Sequence, residues 1–356
     1  MDLCLSCKGC KSECPSNVDI AKLKAEFLQH YYDTRGVPLR ARLVAHFADS
    51  ARLASLAPWA WNFVFGTPAL RRLANRAVGF HPDRTIPLLG KHTLRSWFRK
   101  RRPPSAAGGP KVLLFCDEFT DANDTEAGKA CVELLEGLGY NVRIPTHVES
   151  GRASLSKGLL RRARTFAQRN VAMLAPHVSE ASPLIGIEPS AILTFRDEYP
   201  ELLRGDEQRR ARALAPHCLM VEEFLAGEMD AGRVRREAFR QGGAPVHLHG
   251  HCQQKAIASL TPTVRLFETL LGREVRIIPS GCCGMAGSFG YEAEHFDLSQ
   301  RIGELVLFPR VRATPPEETI AAPGTSCRHQ IHDGTGQTAL HPVQILKEAL
   351  LTHTPI

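Results

Sequence analysis

The chain has 356 residues, of which 43% are hydrophobic and 23% charged, enough for two or three folded units and unlike a disordered or coiled-coil composition. The 45 Lys and Arg outnumber the 37 Asp and Glu, giving a net charge of +8. The densest basic run, Arg99-Lys100-Arg101-Arg102, has no interleaved aromatics or binding motif, so no nucleic-acid partner is expected and membrane contact is at most peripheral. No apolar run reaches the length of a spanning helix, and a Cys-rich start stands where a signal peptide would have its apolar core. The expected location is therefore cytoplasmic, with attachment at the inner membrane surface as the outer limit.

Residues 1–18 carry Cys4-x2-Cys7-x2-Cys10-x3-Cys14-Pro15. Thiolates at this spacing wrap a cubane [4Fe-4S] cluster, whereas zinc favours two separated Cys pairs. In two-cluster ferredoxins the fourth Cys of such a run binds the other cluster. Cys4, Cys7 and Cys10 then need a fourth ligand, and Cys14 needs three companions. The spacing does not recur in the chain, so the partner motif is expected upstream of Met1 or on another subunit, with Met1 reading as a truncation or a split gene. Residues 19–103 read as helical: Ile20, Leu23, Phe27 and Tyr31 recur at helical spacing, followed by apolar-basic periodicity through Leu39–Phe47 and Ala69–Val78. The aromatic group Trp59, Trp61, Phe63 and Phe65 reads as core packing. Pro103-Pro104 and Ala106-Ala107-Gly108-Gly109-Pro110 mark a linker.

From residue 111 the texture changes to an α/β pattern. Val112–Phe115, Val142–Ile144, Ile192–Phe195, Val246–Leu248, Val275–Ile278 and Ile320–Ala322 are strand candidates. Helices fit Glu126–Leu138, Ser154–Gln168, Pro262–Leu271, Leu298–Leu307 and Pro342–Leu351, and the alternation implies a mainly parallel sheet. The pattern also repeats. Val112 is followed by Val246 after 134 residues, Val142-Arg143-Ile144-Pro145 by Val275-Arg276-Ile277-Ile278-Pro279 after 133, and Ser190-Ala191 by Ser326-Cys327 after 136.

A second cysteine group lies in the later repeat: Cys252, Gly281-Cys282-Cys283-Gly284 and Cys327. Flanking glycines let the backbone approach a bulky inorganic ligand, and the vicinal pair offers two thiolates from one turn. A strained redox disulfide and simple burial of small thiols are the alternatives. Carried back through the repeat, these positions become Glu118, the Val148-Glu149 region and Ala191. The earlier half thus does without the thiols, which points to a ligand in the later one. His247, His249 and His251 alternate, as metal ligands on one strand face can; His251 beside Cys252 is instead placed to hydrogen-bond a cluster sulfide. Arg328 and His329 either neutralise an anionic cluster or cap a helix. Cys116, Cys131 and Cys218 read as inert.

These residues resemble a known family. Cys252, Cys282-Cys283-Gly284 and Gly324-Thr325-Ser326-Cys327-Arg328-His329-Gln330 look like the cysteine-rich CCG domain of the heterodisulfide reductase B and glycolate oxidase iron–sulfur families. With the ferredoxin run ahead, the chain resembles the C-terminal part of FAD-linked D-2-hydroxy-acid dehydrogenases of the D-2-hydroxyglutarate and D-lactate type. It departs from the pattern where Gln330 replaces the last Cys and where the earlier repeat has lost the motif's cysteines. The resemblance implies a ferredoxin-like segment with a helical region over 1–103, a degenerate CCG repeat over 104–240 and a cluster-bearing CCG repeat over 241–356, both Rossmann-like. It implies an electron-transfer module with Cys4, Cys7, Cys10, Cys14, Cys252, Cys282, Cys283 and Cys327 as cluster ligands and no catalytic residue of its own. FAD is expected on an upstream domain or partner subunit, and quinone, cytochrome or another carrier as acceptor. A cluster-based thiol–disulfide reductase and a non-catalytic iron–sulfur regulatory protein are the rival readings.

Overall fold

A computed structural model describes residues 1–101 and 108–351; Arg102 and most of the expected linker lie outside them. Among the described residues, seven short strands form two parallel sheets. Lys111–Leu114 (β1), Asn141–Arg143 (β2), Leu184–Gly186 (β3) and Cys218–Met220 (β4) make the first, in the order β2-β1-β3-β4. Val246–Leu248 (β5), Val275–Ile277 (β6) and Thr319–Ala321 (β7) make the second, in the order β6-β5-β7. The residues related by the repeat take equivalent registers: Val112 pairs with Val142 and Val246 with Val275.

One strand candidate fails. Ile192–Phe195 is the end of the helix Pro189–Ile192 and a 3-10 turn, and the third strand is Leu184–Gly186. A four-residue, mostly apolar run does not distinguish strand from helix. The local start signal does: Glu188 caps the helix by accepting from the Ser190 amide, with Pro189 in the first turn. β4 was not anticipated. The expected helix Ser154–Gln168 is split into Arg152–Ser156 and Leu160–Leu174. Gly158 sits at the break with φ +72°, and an added Cβ there would lie 2.3 Å from Leu28 Cβ. Glycine allows both the left-handed turn and the approach of the N-terminal helix.

The sheets share a core. Val112, Leu114 and Leu135 from the first pack in one buried cluster with Val246, Leu248, Leu266 and Ala321 from the second. The helix Pro342–Ala349 closes it from the far end of the chain, with Val343 and Leu346 buried in the same cluster.

The N-terminal region is helical as read, but its large apolar side chains are not its core. Helix Ile20–Arg35 buries Ala21 and Ala25 and leaves Leu23, Phe27 and Tyr31 exposed. Trp59 is 75% and Phe63 64% exposed, which corrects the core reading for these two. Spaced by four, they share one side of helix Pro58–Gly66. Trp61 faces inward, packing beside Ala51, Leu89 and Ala122 and donating to the Pro87 carbonyl at 3.3 Å. Among the described residues no helix is long and apolar enough to cross a membrane. Arg101, in the basic run, stacks on Phe98 at 4.1 Å and pairs with Glu136.

Candidate metal centre

Cys252 opens the helix Cys252–Ile257 just after β5, Cys282 and Cys283 lie on the loop after β6, and Cys327 is in the first turn of helix Thr325–Thr335 after β7. All three sites are therefore at the C-terminal ends of parallel strands, where α/β folds gather functional groups. The four thiols meet. Cys252 donates to Cys282, Cys282 to Cys283 and Cys283 to Cys327; each accepted bond lowers the accepting thiol's pKa, but donation in the first three, burial and the neighbouring thiols' charges outweigh this and leave all four above the ordinary value. A metal binding here displaces those protons. Amides of Gln253 and Gly284 point at Cys252 and Cys282, the latter at 3.5 Å, and stabilise thiolate charge once it forms.

The loop geometry depends on glycine at two positions. Gly284 has φ +95°, and a Cβ there would lie 2.4 Å from the Ser299 carbonyl oxygen. At Gly324 a Cβ would meet the His251 ring at 2.3 Å and Cys327 Sγ at 3.2 Å. A side chain at Gly324 would press on Cys327, and one at Gly284 would push the Cys282-Cys283 loop off Ser299.

The N-terminal cysteines lie beside this pocket. Burial raises the Cys7 thiol pKa, and the charge of Cys252 acts on it alongside those of Cys10 and Cys4. The two stretches are bonded together: Gln253 Nε2 donates to the Ser6 carbonyl at 3.3 Å. Ser6 and Lys8 take left-handed φ values of 52° and 61°, winding the Cys4–Cys10 stretch into a tight loop. Cys10 Sγ accepts from the Ile20 amide at 3.3 Å. Cys14 is apart: its electrostatic partners are the amides of Val18, Ser16 and Asn17, which lower its pKa below the usual thiol value. Among the described residues no other cysteine acts on it.

Sequence reasoning missed what anchors this loop. Lys8 is buried, with its ammonium 3.0 Å from Asp19, 3.1 Å from Glu198 and in contact with Asp197. Burial works against its charge, but Glu198 and Asp197 outweigh that and hold the ammonium well above its ordinary pKa. The partners are nearly two hundred residues away, so only the tertiary fold reveals them. Arg84 was also missed. It is fully buried, donating to the Gly290 carbonyl at 2.7 Å, Gln330 Oε1 at 2.9 Å, Asp333 at 3.1 Å and Ser299 Oγ at 3.2 Å.

The histidines do not share one strand face. The strand ends at Leu248, and the chain turns. His247 bonds Glu318. His251 Nδ1 accepts from the Gln253 amide at 3.2 Å, capping the helix, and its Nε2 faces Glu188 at 3.9 Å. His249 is fully buried, and burial first, then Lys255 and His251, lower its pKa to about 3. Arg328 is directed to the Ala322 and Pro323 carbonyls and to Asp124, and His329 to Thr85. These bonds spend both side chains on packing one segment against another. Cys116, Cys131 and Cys218 are buried thiols whose pKa values burial drives upward. At the earlier repeat's equivalent positions, Glu118 accepts from the Ser150 amide and hydroxyl at 2.9 and 2.6 Å, and Glu149 lies within its field.

The chain is 29% identical to D-2-hydroxyglutarate dehydrogenase of Escherichia coli K12 over 363 residues, covering 98% of this chain and 34% of that protein. The chain is a homologue of the D-2-hydroxyglutarate dehydrogenases. One component of the anaerobic glycerol-3-phosphate dehydrogenase of E. coli K12 is 26% identical over 338 residues, 94% of this chain and 83% of that component. Lactate utilization protein A of Bacillus velezensis is 28% identical over 225 residues, 61% of this chain and 87% of that protein. The resemblance read from the cysteine motifs is thereby borne out. This homologue of the D-2-hydroxyglutarate dehydrogenases spans about a third of the length of those it matches. No protein-family model matches it, and no solved structure matches it.

Proposed function

We propose that this chain is the iron–sulfur electron-transfer module of an FAD-linked D-2-hydroxy-acid dehydrogenase, taking electrons from reduced flavin and handing them to a quinone, cytochrome or other acceptor. The flavin and substrate sites belong to an upstream domain or a partner subunit, and the assembly is cytoplasmic or peripheral at the inner membrane surface. The observation that carries this reading is the convergence of Cys252, Cys282, Cys283 and Cys327 in one buried pocket with Cys7 at its border. The pocket belongs to the later of two α/β halves, 104–240 and 241–356, which supplies Cys252, Cys282, Cys283 and Cys327.

The donor set fits iron–sulfur chemistry: a [4Fe-4S] cluster takes thiolate ligands and, when bound, supplies one-electron oxidation and reduction. The residues of this chain do the rest. Cys4, Cys7 and Cys10 offer three sulfurs from one tight loop, and Cys14 offers a fourth to a neighbouring set. Cys252, Cys282, Cys283 and Cys327 bind in the later half. The Gln253, Gly284 and Ile20 amides direct hydrogen bonds at sulfur, one of the levers by which a protein sets a cluster's potential. Burial of Cys283 and Cys327 keeps water from the ligand set. Gln330 is spent on Arg84 and Ser299, which weighs against a fifth ligand there and a disulfide-cleaving site.

The test is flavin absorbance in a stopped-flow instrument, on the enzyme assembled with its flavin component. Cys282→Ser should slow flavin reoxidation at least tenfold and leave flavin reduction by the 2-hydroxy acid unchanged, with Cys116→Ser as a silent control. Slow reduction, or iron content equal to that of the parent, would overturn the assignment.

A further inference from the structure

We infer that His249 is a ligand, through Nε2, of the metal centre held by Cys252, Cys282, Cys283 and Cys327; this rests on the proposed iron–sulfur reading of that pocket. The argument begins with an unmet bond. His249 is fully buried, and its Nε2 is a buried nitrogen without a hydrogen-bond partner among the described residues. A buried polar atom left in this state costs free energy, so native folds pair such atoms with something. The ring lies beside sulfur: a ring nitrogen of His249 and the Sγ atoms of Cys283 and Cys327 lie within 4.8 Å of one another.

The other ring nitrogen is already committed. Nδ1 is 2.7 Å from Ser280 Oγ, on the same loop as Cys282 and Cys283. With the Nδ1 proton donated to that hydroxyl, the lone pair at Nε2 is free to bind a metal. This is the arrangement that fixes ring and tautomer in metal-bound histidines. The His249 backbone is equally fixed, its amide donating to the Ala321 carbonyl at 2.9 Å, so the ring is held between β5 and β7 where Cys252 and Cys327 also begin. On the other side of Cys327, Gln330 offers no ligand because its amide serves Arg84 and Ser299. The pocket thus has one neutral nitrogen donor beside its thiolates.

A neutral imidazole adds a donor without the negative charge that a further thiolate would bring, and histidine ligation goes with a raised potential in the Rieske centres. His249 would tune this pocket in that direction.

The experiment uses the full chain, reconstituted anaerobically with iron and sulfide, reduced, and studied by pulsed electron paramagnetic resonance with 15N-histidine labelling. The expected result is a strongly coupled histidine nitrogen in the parent that disappears in His249→Ala. His249→Cys should retain iron, lose the nitrogen coupling and titrate at a lower potential, which separates loss of the ligand from loss of the fold. A parent spectrum without strong nitrogen coupling, or one unchanged in His249→Ala, overturns the ligand assignment while leaving the iron–sulfur reading in place. If iron content does not change on Cys282→Ser, the pocket holds no cluster and both fail.

Discussion

Replacing Arg84 by methionine removes a buried cation that reaches from the N-terminal helical region into the wall of the thiol pocket. The arginine makes four hydrogen bonds, to Gly290, Gln330, Asp333 and Ser299, and lies 4.8 Å above the Phe296 ring. Methionine fills much of the volume, so the loss is one of polar partners. Asp333 is itself shielded from water; burial raises its pKa, but bonds from His329 and Thr85 and the charge of Arg84 outweigh that and hold it well below the usual carboxylate value. Without Arg84 it loses the guanidinium paired with it at 3.1 Å. Breaking a buried pair by removing one partner costs about 3–5 kcal/mol, a large share of the ~5–15 kcal/mol that holds a typical fold. Urea denaturation at pH 7 reads this directly. A double-mutant cycle with Asp333→Asn should give a coupling of about 1–3 kcal/mol. Arg84→Lys should recover only part of the loss, because one ammonium cannot replace a planar fork serving four acceptors. A loss below about 1 kcal/mol, or no coupling to Asp333, would refute the reasoning.

Other substitutions probe the core and the loop. Glu222 is fully buried with neither carboxylate oxygen bonded among the described residues, and burial raises its pKa from 4.5 to about 8. A carboxyl whose folded pKa is raised opposes folding as it ionises, so its penalty is absent below pH 4.5 and complete above pH 8. Glu222→Gln should therefore leave stability unchanged at pH 4 and raise it at pH 8.5 by up to about 5 kcal/mol, measured by denaturation at both pH values; an equal effect at both would contradict the assignment. Gly284→Ala should cost about 1–3 kcal/mol and reduce iron uptake, because the methyl group has nowhere to go but the Ser299 carbonyl; a variant with the parent's iron content would show that the loop relaxes freely.

The cysteine sets were legible because both are local spacings on one chain, and local spacing survives in sequence. So were most strands of the two sheets, where β-branched runs stand between clear helices. What sequence concealed is tertiary. The helical period of Leu23, Phe27 and Tyr31 marks a helix but does not say which stripe is buried, and here it is the alanine stripe. Lys8 reads as an ordinary surface lysine until Asp197 and Glu198 arrive from the segment between β3 and β4. The alternation of His247, His249 and His251 suggests a common face, but the strand ends after Leu248 and the three rings diverge. Ile192–Phe195 misleads because its length suits either state, and the capping role of Glu188 outweighs its apolar character.

The central claim is that Cys252, Cys282, Cys283 and Cys327 hold an iron–sulfur cluster. Anaerobic reconstitution of the chain, followed by iron and acid-labile sulfide analysis and Mössbauer spectroscopy, tests it in one measurement against the variant with all four replaced by serine. The predicted result is a loss of about four irons and four sulfides per chain, with disappearance of the matching cubane signal. Unchanged iron and sulfide in the variant, or a parent pocket that takes up zinc and no iron, would contradict it.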